Sequence, residues 1–367
     1  MRTNILVIFT GGTIGCTPPK DGIKSVEISD KPVHQKTIED YFLLTHYIQT
    51  NEQFYREKSI TFETIEPLAT DSSSMTIGKW NALISALKEE SENIEAGKYG
   101  GIIITHGTDT LAYTASLIGV LLARLAIPVV FVSSNEHLRS PVANGHKNFA
   151  DAVSFICSQS GKISGKYVAY SYDLKKTIIY IATQIKSSQT FIHRYESRTG
   201  VDFGYIQAGI FYLDDICKAK QLHVDGNENI KKFMKDINRE NENLLDLVSP
   251  LESNIMIINP YVGLDYSCFK ISPNIKAVLH GTYHSSTVCL NTGIGEEKNN
   301  AQYLRGLCEE KKIGLYFAPY ESNEYADDSK FKKIYNSTQE LAYAKLLVGY
   351  NVFSKGTELE EFLKVDF

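Results

Sequence analysis

Gly101-Ile102-Ile103-Ile104-Thr105-His106-Gly107-Thr108-Asp109-Thr110 reads as a buried strand that ends in a loop. Three β-branched apolar residues in a row suit a strand covered on both faces, the usual condition of a parallel sheet. The small polar residues behind them lead into residues 111–124, an alanine- and leucine-rich helical stretch. In an open α/β sheet, the loop at the carboxyl end of such a strand is where chemistry collects. Thr108 and Asp109 place a hydroxyl and a carboxylate side by side there, facing the positive end of the following helix. The pair also has a plainer reading, in which Asp109 or Thr110 caps that helix.

The neighbouring sequence repeats the strand-loop-helix alternation. Ile5-Leu6-Val7-Ile8-Phe9 is a first strand and ends in Thr10-Gly11-Gly12-Thr13-Ile14-Gly15. Two adjacent glycines let the backbone turn sharply and let another group come close, which sets the Thr13 hydroxyl at the strand's carboxyl end. The spacing is neither G-x-G-x-x-G nor a P-loop. Pro18-Pro19-Lys20-Asp21-Gly22 then marks a loop that would hang over the site. Residues 37–49 carry a helical pattern and residues 59–66 alternate like a strand. The polar run Asp71-Ser72-Ser73-Ser74-Met75-Thr76 precedes a helix over residues 77–87, for which its serines are candidate caps. Ile127-Pro128-Val129-Val130-Phe131-Val132 is a third buried strand, followed by Ser133-Ser134-Asn135-Glu136-His137.

KYVAYSY and TIIYIA, joined by Asp173-Leu174-Lys175-Lys176, read as a hairpin, and Lys186 follows closely. Residues 214–252 turn polar and poor in apolar side chains, as a linker does. Beyond them come strands at 254–258, 276–282 and 313–317 with helices at 301–310 and 338–348. His280-Gly281-Thr282 echoes His106-Gly107-Thr108 at the same kind of strand end. The expected architecture is α/β: a doubly wound, mostly parallel sheet in a larger N-terminal domain (1–213), a linker (214–252) and a second, smaller α/β domain (253–367).

A chain of 367 residues is long enough for two cores without staples. Its net charge of −5 argues against nucleic acid, whose phosphates ask for a basic face. A small polar substrate fits better. No run approaches the roughly eighteen apolar residues of a membrane span, and no leader pattern opens the chain. The six cysteines lie far apart without a C-x-x-C pair, and the nine histidines form no H-E-x-x-H pair, so neither a disulfide framework nor a metal site is expected. A cytoplasmic protein without cofactor is the reading.

Thr10-Gly11-Gly12-Thr13-Ile14 and His106-Gly107-Thr108-Asp109-Thr110, in this order and separation, resemble the paired threonine signatures of the bacterial-type L-asparaginase/glutaminase family. Asp71-Ser72-Ser73-Ser74-Met75 looks like that family's substrate-binding serine loop. The resemblance implies an amidohydrolase in which Thr13 is the nucleophile and Thr108 the second catalytic threonine, supported by Asp109 and Lys186. It implies that Ser72 and Asp109 hold the α-carboxylate and α-ammonium of an amino-acid amide, with Gly12, Gly107 and Ser134 at the pocket wall. A threonine hydroxyl is a weak nucleophile, so such a site needs a base and oxyanion donors. A lysine serves as base when desolvation lowers its pKa, and backbone N–H groups of the glycine turn are candidate donors. Family active sites borrow residues from a neighbour's C-terminal domain, which implies a homodimer or homotetramer, with Glu324 or Tyr283 as candidate contributions.

Three positions depart from the family pattern. Ten residues past Thr13, where the family carries the tyrosine that activates the nucleophile, stands Ile23. Ser133-Ser134-Asn135-Glu136-His137 brings larger groups to the pocket wall, and Gly281-Thr282-Tyr283-His284-Ser285-Ser286 replaces a glycine-rich loop. Three readings stay open: hydrolysis of L-asparagine or a related amide; another amide substrate, with Tyr41, Tyr47 or Tyr55 in place of the missing tyrosine; or a silent amino-acid-binding protein. The tRNA-dependent amidotransferases use the same fold in one of their chains, but there an added domain is expected before the first motif.

Overall fold

The computed structural model describes residues 2–15, 42–159, 161–216, 226–290, 293–320 and 331–367. The chain forms two compact units, residues 1–228 together with Phe367, and residues 229–366. In the first unit the strands are β1 (Thr3–Ile8), β2 (Ile60–Ile65), β3 (Gly101–Thr105), β4 (Val129–Val132), β5 (Lys166–Tyr170), β6 (Thr177–Ile181), β7 (Ile185–Lys186), β8 (Glu196–Ser197), β9 (Gly204–Gln207) and β10 (Ile210–Leu213). Eight of them make one sheet in the order β10-β9-β6-β5-β4-β3-β1-β2, while β7 and β8 pair with each other. The run from β2 through β5 is parallel. From β5 outward through β6, β9 and β10 the pairing is antiparallel. Strand order reverses at β1, whose two neighbours are β3 and β2, so the carboxyl ends of β1 and β3 lie side by side.

Composition explains the layering. Ile5 to Ile8 of β1, Ile102 to Ile104 of β3 and all of β4 are fully buried, as unbroken apolar runs demand. The helix Leu111–Leu121 is buried on every side except at Tyr113, which matches a segment apolar all round rather than striped. The helix Gly145–Gln159 covers one face of the sheet with Phe149, Ala152, Val153, Phe155 and Ile156. Phe155 stacks edge-on against Tyr167, Phe203 and Phe211 there.

The second unit holds a four-stranded, wholly parallel sheet, β11 (Ile255–Ile258), β12 (Ala277–His280), β13 (Gly314–Tyr320) and β14 (Lys332–Tyr335), in that order. The helix Ala301–Lys311 buries Leu304 and Cys308 against it. Within the stretch 214–252, read from sequence as a connector, the helices Gly226–Asp236 and Leu244–Leu247 are formed. Phe233 on the first of them packs against Phe353 and Phe362, with ring centroids 5.5 and 5.7 Å away. Among the described residues no helix is long and apolar enough to cross a membrane.

Candidate active site

The site grows from the junction of β1 and β3. Thr10 closes that junction with its hydroxyl, which donates to Thr105 O at 2.5 Å, and with its N–H, which donates to Thr105 Oγ1 at 3.2 Å. Past Thr10 the chain turns through Gly11 and Gly12, whose φ values of +96° and +75° suit glycine alone. The turn is stitched to the loop after β2: Thr70 N–H donates to Thr10 O at 3.1 Å, and Gly12 N–H to Thr70 O at 2.8 Å.

Gly12 lies directly against the β3 loop. A Cβ there would stand 2.5 Å from Gly107 Cα and 2.7 Å from His106 C. A Cβ on Gly107 would in turn run into the side chain of Ser72, 2.7 Å from its Cβ. The glycines therefore bring three loops, those of residues 10–15, 70–76 and 106–110, to within van der Waals contact. Thr13 and Thr108, the residues that follow the touching glycines, are both half-buried.

Ser72 pins this contact. It is 1% exposed, and its Oγ donates to Asp109 Oδ2 at 3.1 Å while accepting from Asp109 N–H at 3.2 Å. Thr110 Oγ1 donates to Ser72 O at 2.9 Å. The capping readings of these residues are thereby replaced. Thr110 occupies the N-cap position of Leu111–Leu121 without a side-chain cap bond. The serines form a short 3₁₀ turn, Ser72–Ser74, and Thr76 caps the next helix by accepting from Lys79 N–H at 3.4 Å. Asp109 remains exposed, and among the described residues Ser72 bonds its Oδ2 but not its Oδ1.

His106 sits wholly buried below the loop, and its Nδ1 is 2.8 Å from Gly107 O. A carbonyl only accepts, so Nδ1 carries the proton. Among the described residues its Nε2 has no partner, and burial pushes the ring pKa down to about 4. Tyr195, 1% exposed, donates its hydroxyl to Thr108 O at 2.8 Å; burial holds that phenol well above its usual range.

Lys186 belongs to the β7–β8 ribbon and pairs in register with Glu196, the residue next to Tyr195. That pairing brings its backbone toward the Thr108 loop. Its side chain is exposed, so the burial that a lysine base calls for is not provided by the described residues of this chain. The preceding turn, Ala182–Gln184, is held by Phe367 O, which accepts from Thr183 Oγ1 at 2.9 Å and Gln184 Nε2 at 3.1 Å. Ser134 is fully buried and donates its hydroxyl to Glu136 O at 2.5 Å, within its own loop.

Ile23, the loop from Pro18 to Gly22, Tyr41 and Glu324 lie outside the described residues. The two described candidates for the missing tyrosine are committed elsewhere. Tyr55 is 4% exposed and meets Phe62 edge-on, and Tyr47 stacks on His146 with centroids 4.8 Å apart. Sequence reasoning passed over Thr10, Thr70 and Tyr195, whose roles are contacts between segments distant in sequence, and Lys79, which folds back from its helix onto the loop before it. In the second unit, Tyr283 is 37% exposed just past the end of β12.

Comparison with known proteins places these elements. A family model described as "Asparaginase, N-terminal" matches residues 4–207. A glutamyl-tRNA(Gln) amidotransferase component of Thermoplasma volcanium is 21% identical over 240 residues, 65% of this chain and 50% of that protein, so the chain spans about half the length of that relative. L-asparaginase 1 of Escherichia coli is 26% identical over 325 residues, 86% of this chain and 78% of that one. Among solved structures, L-asparaginase I of Vibrio cholerae superposes with a TM-score of 0.68 at 18% identity, covering 100% of this chain and 98% of the other, which establishes the shared fold. The family match covers more than half of the sequence, and the chain belongs to the asparaginase family.

Proposed function

We propose that this chain hydrolyses the side-chain amide of L-asparagine, or of a related small amide, to the acid and ammonia, with Thr13 as nucleophile. The observation that carries the reading is the meeting of the three loops, in which Ser72 bridges both the carboxylate and the amide of Asp109 beside the Gly12–Gly107 contact. A bound amino acid would set its α-ammonium on Oδ1 of Asp109 and its α-carboxylate at the serine turn. The Thr13 hydroxyl attacks the amide carbon, and its proton passes by way of Thr108 and Lys186 to the departing nitrogen. Gly12 N–H is already bonded to Thr70 O, which makes the N–H of Thr13 the candidate oxyanion donor of that turn. Water then cleaves the threonyl ester. Lys186 gains its burial, in this reading, from a neighbouring copy in a homodimer or homotetramer, and light scattering on the purified protein tests that assembly. A cytoplasmic location belongs to the same reading, in keeping with cysteines too far apart in sequence to suggest a disulfide framework.

Ammonia release tests the activity. Wild-type protein is expected to release ammonia from L-asparagine, with L-glutamine and β-aspartyl peptides as comparison substrates, and Thr13→Ala to lose at least about a thousandfold in kcat, as removal of a nucleophile does. No turnover of any of these amides by the wild type sinks the reading; undiminished turnover by Thr13→Ala sinks the nucleophile. The burial of Tyr55 and the stacking of Tyr47 on His146 favour one second reading, a binding protein without a proton relay. Its signature is a rise in Tm with L-aspartate or L-asparagine and no ammonia.

A further inference from the structure

Lys79 stands in an electrostatically unfavourable place. It lies in the first turn of the helix Ile77–Glu89, a turn without acidic residues, where a cation faces the positive pole of the helix. The side chain reaches back past the helix start, and its Nζ donates to Thr70 Oγ1 at 2.6 Å and to Ser74 O at 2.8 Å. Among the described residues it has no carboxylate partner, so its charge is committed to these two neutral acceptors.

The two acceptors lie at the two ends of one loop, residues 70–74, and each end faces a different part of the site. Thr70 is bound through its backbone to Thr10 and Gly12, and so to the turn that presents Thr13. Ser74 closes the 3₁₀ turn that presents Ser72, with its own N–H donating to Asp71 O at 3.0 Å and Met75 N–H donating to Ser72 O at 3.1 Å. An ammonium has three donors in flexible reach, which suits it to tie the hydroxyl at one end of this loop to the carbonyl at the other.

We propose that Lys79 is a positioning residue that fixes the serine turn against the nucleophile turn, and so sets the distance between the group that binds the amino acid and the group that attacks it. The kinetic consequence rests on the amide-hydrolysis reading above; the structural one does not. Misplacement of a binding group by a fraction of an ångström costs rate and affinity without any loss of a contacting side chain.

Lys79→Met keeps the stem and removes the donors. Hydrogen exchange read by mass spectrometry is expected to speed up by about tenfold in segments containing Gly12 and residues 72–75, while residues 101–105 in the core keep their protection. In the same variant KM for L-asparagine is expected to rise about tenfold and kcat to change by less than about threefold, the pattern of lost substrate positioning. Thr70→Val, which removes one acceptor, is expected to share most of this effect, so that the double variant is no worse than the more affected single one. Unchanged exchange in both segments overturns the proposal, as does a uniform increase that includes residues 101–105, which would make Lys79 a matter of overall stability. If the wild type hydrolyses no amide, the functional reading fails and exchange alone decides the role of Lys79.

Discussion

At the scale of single residues, the site depends on groups that do two things at once. Ser72 gives its hydroxyl to the Asp109 carboxylate and receives the Asp109 N–H, so one buried oxygen fixes both the side chain and the backbone of its partner. Ser72→Ala leaves both groups unpartnered, but Asp109 is exposed and water replaces the lost bonds, so the stability cost is expected to stay near 1 kcal/mol. On the proposed amide-hydrolysis reading binding suffers more, because a carboxylate free to rotate would no longer meet the substrate's ammonium at a set angle. An increase of at least about tenfold in KM for L-asparagine, with a Tm within a few degrees of wild type, is the expected outcome. Steady-state kinetics beside a thermal melt reads both numbers, and a large fall in Tm without a change in KM would reassign Ser72 to folding.

At the scale of elements, the strand ends were legible and the contacts between them were not. β1, β3 and β4 are short, dense apolar runs bounded by turn residues, and the antiparallel hairpin of β5 and β6 follows from two segments rich in aromatic and β-branched residues. β9 and β10 escaped the sequence because their turn, Ala208-Gly209, has positive φ at both positions, 49° and 75°, without the Asn-Gly or Asp-Gly that announces such a turn. The helix Gly226–Asp236 escaped because its apolar content is confined to Ile230, Phe233 and Met234, a narrow stripe in a charged segment. For the site, the motif residues Thr13, Ser72, Thr108 and Asp109 stood out through the family resemblance, while Thr10, Thr70 and Lys79 did not, because such polar residues gain meaning only from what folds against them. The turn geometry makes its own prediction. Gly12→Ala must place a Cβ on the Gly107 backbone from a residue at φ +75°, and backbone cannot step aside as a side chain can. A loss of more than about 3 kcal/mol, or failure to fold, is expected in a denaturant titration. A change below about 1 kcal/mol would show that the two strand ends do not touch in this way.

At the scale of the whole molecule, the two units repeat one device. His106 at the end of β3 and His280 at the end of β12 are both fully buried, each with Nδ1 against the carbonyl of the glycine that follows, at 2.8 and 2.5 Å. His280 differs in having Tyr266 OH 2.8 Å from its Nε2, where His106 Nε2 has no partner among the described residues. In both, burial outweighs the glycine carbonyl and lowers the pKa from 6.5 to about 4. The unfolded chain therefore takes up a proton at each site below pH 6.5, while the native chain refuses it down to about pH 4, so stability present above pH 6.5 is lost as pH falls through that window. From pH 7 to pH 5 each histidine contributes a loss of roughly 2 kcal/mol. Urea titrations at pH 7 and pH 5 are expected to show a falling midpoint for the wild type, and His106→Asn, which does not titrate, is expected to flatten that dependence in the transition of the first unit. His280→Asn does the same for the second unit. Equal pH dependence in the wild type and both variants would mean that the native imidazoles take up a proton as readily as those of the unfolded chain, and that the acid sensitivity resides in the carboxylates.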